Sequence, residues 1–290
     1  MKPLQRFLTK VLLLALAPIA IFNACTENTN PVTEEWEALF NGEDLTGWTA
    51  NFNNEDIGIN YKNTFRVNDG LLQASYEDWD TFANEFGHLF YHKPFSYYKI
   101  KSEYRFVSEQ PKGAEEWAYK NNGLMLHCQT PESMTKAQAF PLSLEFQLLG
   151  GNGTDERTNG NLCTPGCDVF IDGEFVEEHC ISADSPTYHG EQWVTAEAVV
   201  LGDSIIHHIL NGDTVISYSR PTIGGWCPDL DTVAFVRGTP LKEGLISIQA
   251  ESHPTDFKYI KVLDLCGCMD QKAKNYKSYY IKPDKSKCVY

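Results

Sequence analysis

Residues 121–151 read NNGLMLHCQT, then PESMTKAQAFP, then LSLEFQLLGG. Two apolar/polar alternations stand here, each bounded by Gly, Pro or Asn, which is the pattern of half-buried strands. In the second run Leu142, Leu144, Phe146 and Leu148 fall on one face and Ser143, Glu145 and Gln147 on the other, because successive strand side chains point to opposite faces. In the first run Leu124, Leu126 and Cys128 share one face, and Gly123, Met125 and His127 the other. With both strands in one sheet over a common core, His127, Glu145 and Gln147 share the outer surface. That trio reads either as a site or as an ordinary solvated face.

The same pattern extends in both directions. Asp69-Gly70, Asp172-Gly173 and Asn211-Gly212 lie between apolar runs, a hairpin signal, because both central residues of such turns need positive φ. Residues 97–107 (YYKIKSEYRFV) alternate strictly, so Glu103 and Arg105 share a polar face. Residues 86–93, 193–201, 205–210 and 214–218 read as further strands, and GLISIQAESHPTDFKYIKVLDL supplies two more, with Gln249 and Glu251 opposite Ile246, Ile248 and Ala250. There is no long helical pattern and no internal repeat. Many short strands with regular turns predict an all-β sandwich or barrel. The Gly- and Asn-rich run from 150 to 165 reads as a loop, either functional or pinned by Cys163 and Cys167.

The ends differ from this body. Lys2, Arg6 and Lys10, the apolar run VLLLALAPIAIF and then Asn23-Ala24-Cys25 predict an export signal over 1–24, with Cys25 as a lipidated N-terminus and 25–35 as a tether. The expected location is therefore that of an exported bacterial lipoprotein of the outer membrane, held through a lipid anchor. The formal charge of −15 argues against nucleic acid as a partner and against adsorption to anionic lipid. Setting Cys25 aside, an even number of the nine cysteines remains, which in an exported chain predicts disulfides; Cys163, Cys167, His179 and Cys180 are the metal-binding alternative. Residues 266–290 are Lys- and Tyr-rich, bracketed by Cys268 and Cys288, and too small for a core of their own, so a disulfide staple is expected.

Polar sets thus occur at Glu103 with Arg105, at His127 with Glu145 and Gln147, and at Gln249 with Glu251 and His253. Carboxylates, guanidinium, imidazole and amides are what a sugar site uses for hydroxyls, and Trp48, Trp117 and Trp226 offer rings to pyranose faces. Each also has a plain reading: Glu103 and Arg105 as a surface pair worth under about 1 kcal/mol, His127 as a solvated ring. The chain has no phosphate-cradling Gly loop, no G-x-S-x-G elbow and no H-E-x-x-H helix. Retaining glycosidases need two carboxylates about 5 Å apart, but the position two residues beyond Glu145 on its strand is Gln147.

LFNGEDLTGW, NNGLMLHCQ, LEFQLLGG, YHGEQWVTAEAVVLGDSIIHHILNGDTV and ISIQAESHPTDFKYIKV, in that order over 36–265, together resemble the 3-keto-disaccharide hydrolase family. The sequence departs from the family pattern at His127 and Lys258, where arginine is usual, and the tail lies outside it. The resemblance implies a concanavalin-like jelly-roll sandwich over 36–265 and cleavage of 3-keto-glycosides. In that chemistry a base removes the acidified hydrogen on carbon 2, and the group on carbon 1 leaves by β-elimination. It implies Glu145 or His127 as base, and Arg105, or a divalent metal held by acidic and His side chains, as enolate stabiliser. Glu251 is then the acid or a metal ligand, with Glu103, Gln147, Gln249, His253 and Trp117 on the sugar. The alternatives are a carbohydrate-binding module of the same fold and a structural surface lipoprotein.

Overall fold

The computed structural model describes residues 33–290. The leader, the lipidation at Cys25 and nearly all of the tether lie outside the described residues. Two antiparallel sheets stack face to face, and no α-helix occurs among the described residues, only 3-10 turns. The seven-stranded sheet runs, edge to edge, Cys180–Ile181, Asn161–Cys163, Leu144–Leu149, Asn121–Cys128, Leu245–Ala250, Gly87–Tyr91 and Trp48–Phe52. The ten-stranded sheet centres on Tyr97–Phe106, flanked by Val194–Leu201 on one side and Thr255–Asp264 on the other. Of the sandwich or barrel that the alternating patterns predicted it is the sandwich, the jelly-roll form that the family resemblance implied.

Alternation does the sorting. Tyr98, Ile100, Tyr104 and Phe106 point from the larger sheet into the core, where they meet Leu124, Leu126, Phe146 and Ile248 from the smaller one. Each such side chain removed from water contributes roughly 1.5–3 kcal/mol. The Asp-Gly and Asn-Gly pairs turn where expected: Asp69, Gly70, Asp172, Gly173, Asn211 and Gly212 all have positive φ, and antiparallel strands pair across each. The two strands expected in 245–265 both form, but Leu245–Ala250 and Thr255–Asp264 belong to different sheets.

The cysteines depart from full pairing. Cys163–Cys180 and Cys268–Cys288 are disulfides, whereas Cys128, Cys167, Cys227 and Cys266 are free. Cys163 therefore ties the 150–165 loop to Cys180, not to Cys167. The loop also carries a short strand, Asn161–Cys163, paired between Leu144–Leu149 and the edge strand Cys180–Ile181.

Candidate active site

The register of the smaller sheet assembles the site. Gly123 pairs with Gln147 and Met125 with Glu145, and on the other flank Ser247 pairs with Met125. Glu145, Gln147 and Gln249 therefore share the outer face, while Leu144, Phe146 and Ile248 sit in the core. Gly123 makes this possible by having no side chain. A Cβ there would stand 2.7 Å from Gln249 Oε1 and 2.8 Å from both Cγ and Oε1 of Glu145. Glu251 follows the strand on the same face, and Gln249 Nε2 donates to Glu251 Oε1 at 3.3 Å. The next residue, Ser252, has φ +86, unusual for a residue with a side chain. Tyr76 Oη accepts from its N–H at 2.7 Å and Gln110 Nε2 donates to its hydroxyl at 3.0 Å. Such strain costs on the order of 1–3 kcal/mol and clusters at functional sites.

Both carboxyls are buried, with Glu145 6% and Glu251 3% exposed. Glu145 Oε1, Glu251 Oε2 and Gln249 Oε1 are buried without a hydrogen-bond partner. Burial lifts both acids above the carboxylate range, Glu251 to about 8, and the charge of Glu251 lifts Glu145 further. Both carboxyls therefore favour the protonated form far more than an exposed carboxylate does, and they titrate as an interacting pair.

Over these acids opens a cavity of about 260 Å³, with Asn121, Glu145, Gln147 and Glu251 among its lining residues. Its walls include Phe140, the Cys163–Cys180 disulfide, His179 and two exposed indoles, Trp117 and Trp226. His179 meets Trp226 edge-on at 5.1 Å, and burial lowers its pKa, which keeps the ring neutral. The amide of Gln147 is oriented. Ala183 N–H donates to Asn161 Oδ1, and Asn161 Nδ2 donates to Gln147 Oε1 at 3.1 Å, so the NH₂ of Gln147 is left for a ligand. Trp117 also walls a second cavity of about 650 Å³. Arg157, from the 150–165 loop, holds the segment carrying Trp117 by donating to the carbonyls of Trp117, Tyr119 and Gly150.

Four expected site residues lie elsewhere. His127 has φ +49, and pairing slips by one residue beside it, from Leu245 opposite Cys128 to Ser247 opposite Met125. This bulge turns His127 inward, edge-on to Tyr98 and within 3.2 Å of the Gly202 carbonyl, while Cys128 joins Met125 and Phe90 on the outer side. Burial pushes the His127 ring down to about 4. Arg105 and Glu103 project from the other sheet. Arg105 pairs with Asp256 at 2.8 Å over the Trp193 ring, and Glu103 with Lys258 at 3.2 Å. His253 is packed between the rings of Phe106 and Tyr119, its pKa pushed by burial to about 3. Asn121, Asn161, Arg157 and His179 were not singled out as sugar-site residues. Only His179 had a signal, its place beside Cys180. No group of three or more His, Cys, Asp or Glu able to hold a metal ion occurs among the described residues.

A family model described as a 3-keto-alpha-glucoside-1,2-lyase-like domain matches residues 35–263. No curated protein matches the sequence. Among solved structures, a protein of unknown function with a galectin-like fold from Bacillus subtilis superposes with a TM-score of 0.50 at 11% identity, over 80% of this chain and 98% of that one. A candidate glycosyl hydrolase from Parabacteroides distasonis ATCC 8503 gives 0.46 at 17% identity, over 79% and 99%. At 11% identity the likeness to the Bacillus subtilis structure is one of fold alone.

Proposed function

This chain belongs to the 3-keto-alpha-glucoside-1,2-lyase-like family, and from that premise we propose that it cleaves 3-keto-glycosides at the buried Glu145–Glu251 pair. The observation that carries the reading is this pair, with Gln249 donating to Glu251 and bordering Gly123 beside Glu145, in a cavity walled by two exposed tryptophans. The position two residues beyond Glu145 on its own strand is Gln147, not a carboxylate. The partner of Glu145 comes instead from the neighbouring end of Leu245–Ala250.

The proton sits on Glu145, whose Oε1 borders the Gly123 gap together with Gln249 Oε1, an acceptor without a donor. In the reactive form Glu251 is ionised and takes the Gln249 amide, and because burial raises this acid to about 8 that form grows as pH rises toward that value. Ionised Glu251 removes the hydrogen on carbon 2, which the neighbouring ketone acidifies. The electron pair forms the enolate and then the bond between carbons 1 and 2. The oxygen on carbon 1 leaves with the proton of Glu145. Water adds at carbon 1, carbon 2 is reprotonated, and the sum is hydrolysis. The free NH₂ of Gln147 and neutral His179 face the developing oxyanion, Asn121 Oδ1 accepts a hydroxyl, and the two indoles stack on the ring. These roles reverse the expected pairing of Glu145 as base and Glu251 as acid.

The test is release of a chromogenic aglycone from a 3-keto-glucoside beside the ordinary glucoside, each with and without EDTA. Release from the keto compound alone supports the reading, and sensitivity to EDTA would add a metal to it. Release from the ordinary glucoside would point to direct displacement by the same two carboxyls. Glycan binding with neither compound cleaved would favour a carbohydrate-binding module.

A further inference from the structure

Residues 266–290 lie outside the family match, and the proposed chemistry makes no use of them. In a chain with 39 acidic against 24 basic residues, this tail carries Lys272, Lys274, Lys277, Lys282, Lys285 and Lys287 against Asp270 and Asp284. All but Lys277 are exposed. Among them stand exposed Met269, Ile281, Val289 and Tyr290, the last 71% accessible. The Cys268–Cys288 disulfide closes the tail into a fixed loop.

The tail packs where the chain enters the domain. Lys277 pairs with Glu35, and Lys282 lies 5.1 Å over the Tyr97 ring. On the same outer face of the ten-stranded sheet, Lys99 pairs with Glu34, and Lys261 stands 5.2 Å over Trp36 and 5.1 Å over Tyr259. Lysines interleaved with Trp and Tyr rings thus surround the entry point. Ammonium groups on apolar stems beside such rings suit the bilayer interface, and clustered lysines attract anionic headgroups.

We propose that this lysine–aromatic face docks on the anionic phospholipid headgroups of the membrane that carries the lipid anchor read at Cys25. Eight residues separate Cys25 from Glu34, roughly 30 Å at full extension, so the face stays within reach of that bilayer. The rest of the surface is acidic and is repelled by the same headgroups, which fixes one orientation. The carboxyl cavity belongs to the outer face of the other sheet and is held away from the lipid, open to soluble glycosides. The net charge argued against anionic lipid because it averages over this segregation.

The test uses residues 26–290, which contain the whole compact unit Glu34–Tyr290, co-sedimented with phosphatidylcholine vesicles with and without phosphatidylglycerol. Lys272, Lys282 and Lys285 form no ion pair among the described residues, and the Lys282 ammonium lies over the Tyr97 ring. Partitioning should rise about fivefold or more with the anionic lipid and fall with added salt. The triple variant Lys272→Glu, Lys282→Glu, Lys285→Glu should lose that gain, and the matching triple arginine variant should keep it. Circular dichroism confirms that each variant is folded. Equal partitioning on the two vesicles, or a glutamate variant that still prefers phosphatidylglycerol, overturns the proposal.

Discussion

The two outer faces of this sandwich come from the same kind of sequence and have opposite fates. On the ten-stranded sheet the outward charges are paired and, apart from buried Asp256, partly exposed: Arg105 with Asp256, Glu103 with Lys258, Lys101 with Glu197. On the seven-stranded sheet the outward carboxyls are buried, walled by Phe140 of the 129–142 crossing and Trp117 of the 109–120 segment, and one oxygen of each has no partner. A paired surface charge stabilises by about 0–1 kcal/mol. A buried acid without a donor costs several times that, and a fold keeps it only where it has a use. The lesson is that alternation assigns a face, while the covering segments decide whether that face does chemistry.

Substitutions on the two faces should separate most strongly in turnover. Glu251→Gln should lower kcat on a 3-keto-glucoside by about 10²–10⁴, whereas Glu103→Gln and Arg105→Gln should change it by less than about threefold. Glu145→Gln should cost as much with a poor leaving group and far less with an activated aglycone, which does not need the acid. An equal loss on both substrates would contradict the assignment of the acid.

The next effect is steric. Gly123→Ala pushes a methyl into Glu145 and Gln249, and kcat should fall about 10- to 100-fold, since small misplacement of catalytic groups is costly. Smaller again is the rim. Trp117→Ala should raise KM about tenfold, in line with the cost of losing an aromatic anchor, while Trp193→Ala on the other face should leave KM as it is.

Stability gives the smallest and most even contrasts. The two disulfides close loops of similar length, with separations of 17 and 20 residues, so removing either should cost about 2–4 kcal/mol. Only the pair Cys163→Ala, Cys180→Ala should also lower activity, because that bridge walls the cavity beside His179. The carboxyl pair adds a pH dependence of known sign. Its folded pKa values lie above the unfolded ones, so the stability it permits is complete below about pH 4.5 and declines as pH rises toward about 8. Tm should therefore drop between pH 5 and pH 8, and Glu251→Gln should flatten that drop.

Much of the fold was legible because it rests on local rules. Period-two alternation placed Glu145, Gln147 and Gln249 outside and Leu144, Phe146 and Ile248 inside, and Asp-Gly and Asn-Gly set the hairpins. The site was legible only in part. Glu145 and Glu251 meet through pairing between strands far apart in sequence, which no window along one strand reveals. His127 left its expected face through a single bulge, and one slipped residue inverts a strand. Arg105 and Glu145 have the same local pattern but belong to different sheets, a matter of topology rather than periodicity. The disulfide partners and the strained turn at Ser252 are likewise tertiary outcomes.

The most direct measurement is cleavage of a 3-keto-glucoside in D₂O, with the product read by NMR against a control of the keto sugar incubated without enzyme. Elimination through the carboxyl pair predicts deuterium on carbon 2 of the released sugar at the first turnover, lost together with activity in Glu251→Gln. Product formed at full rate with hydrogen retained on carbon 2 would contradict the account.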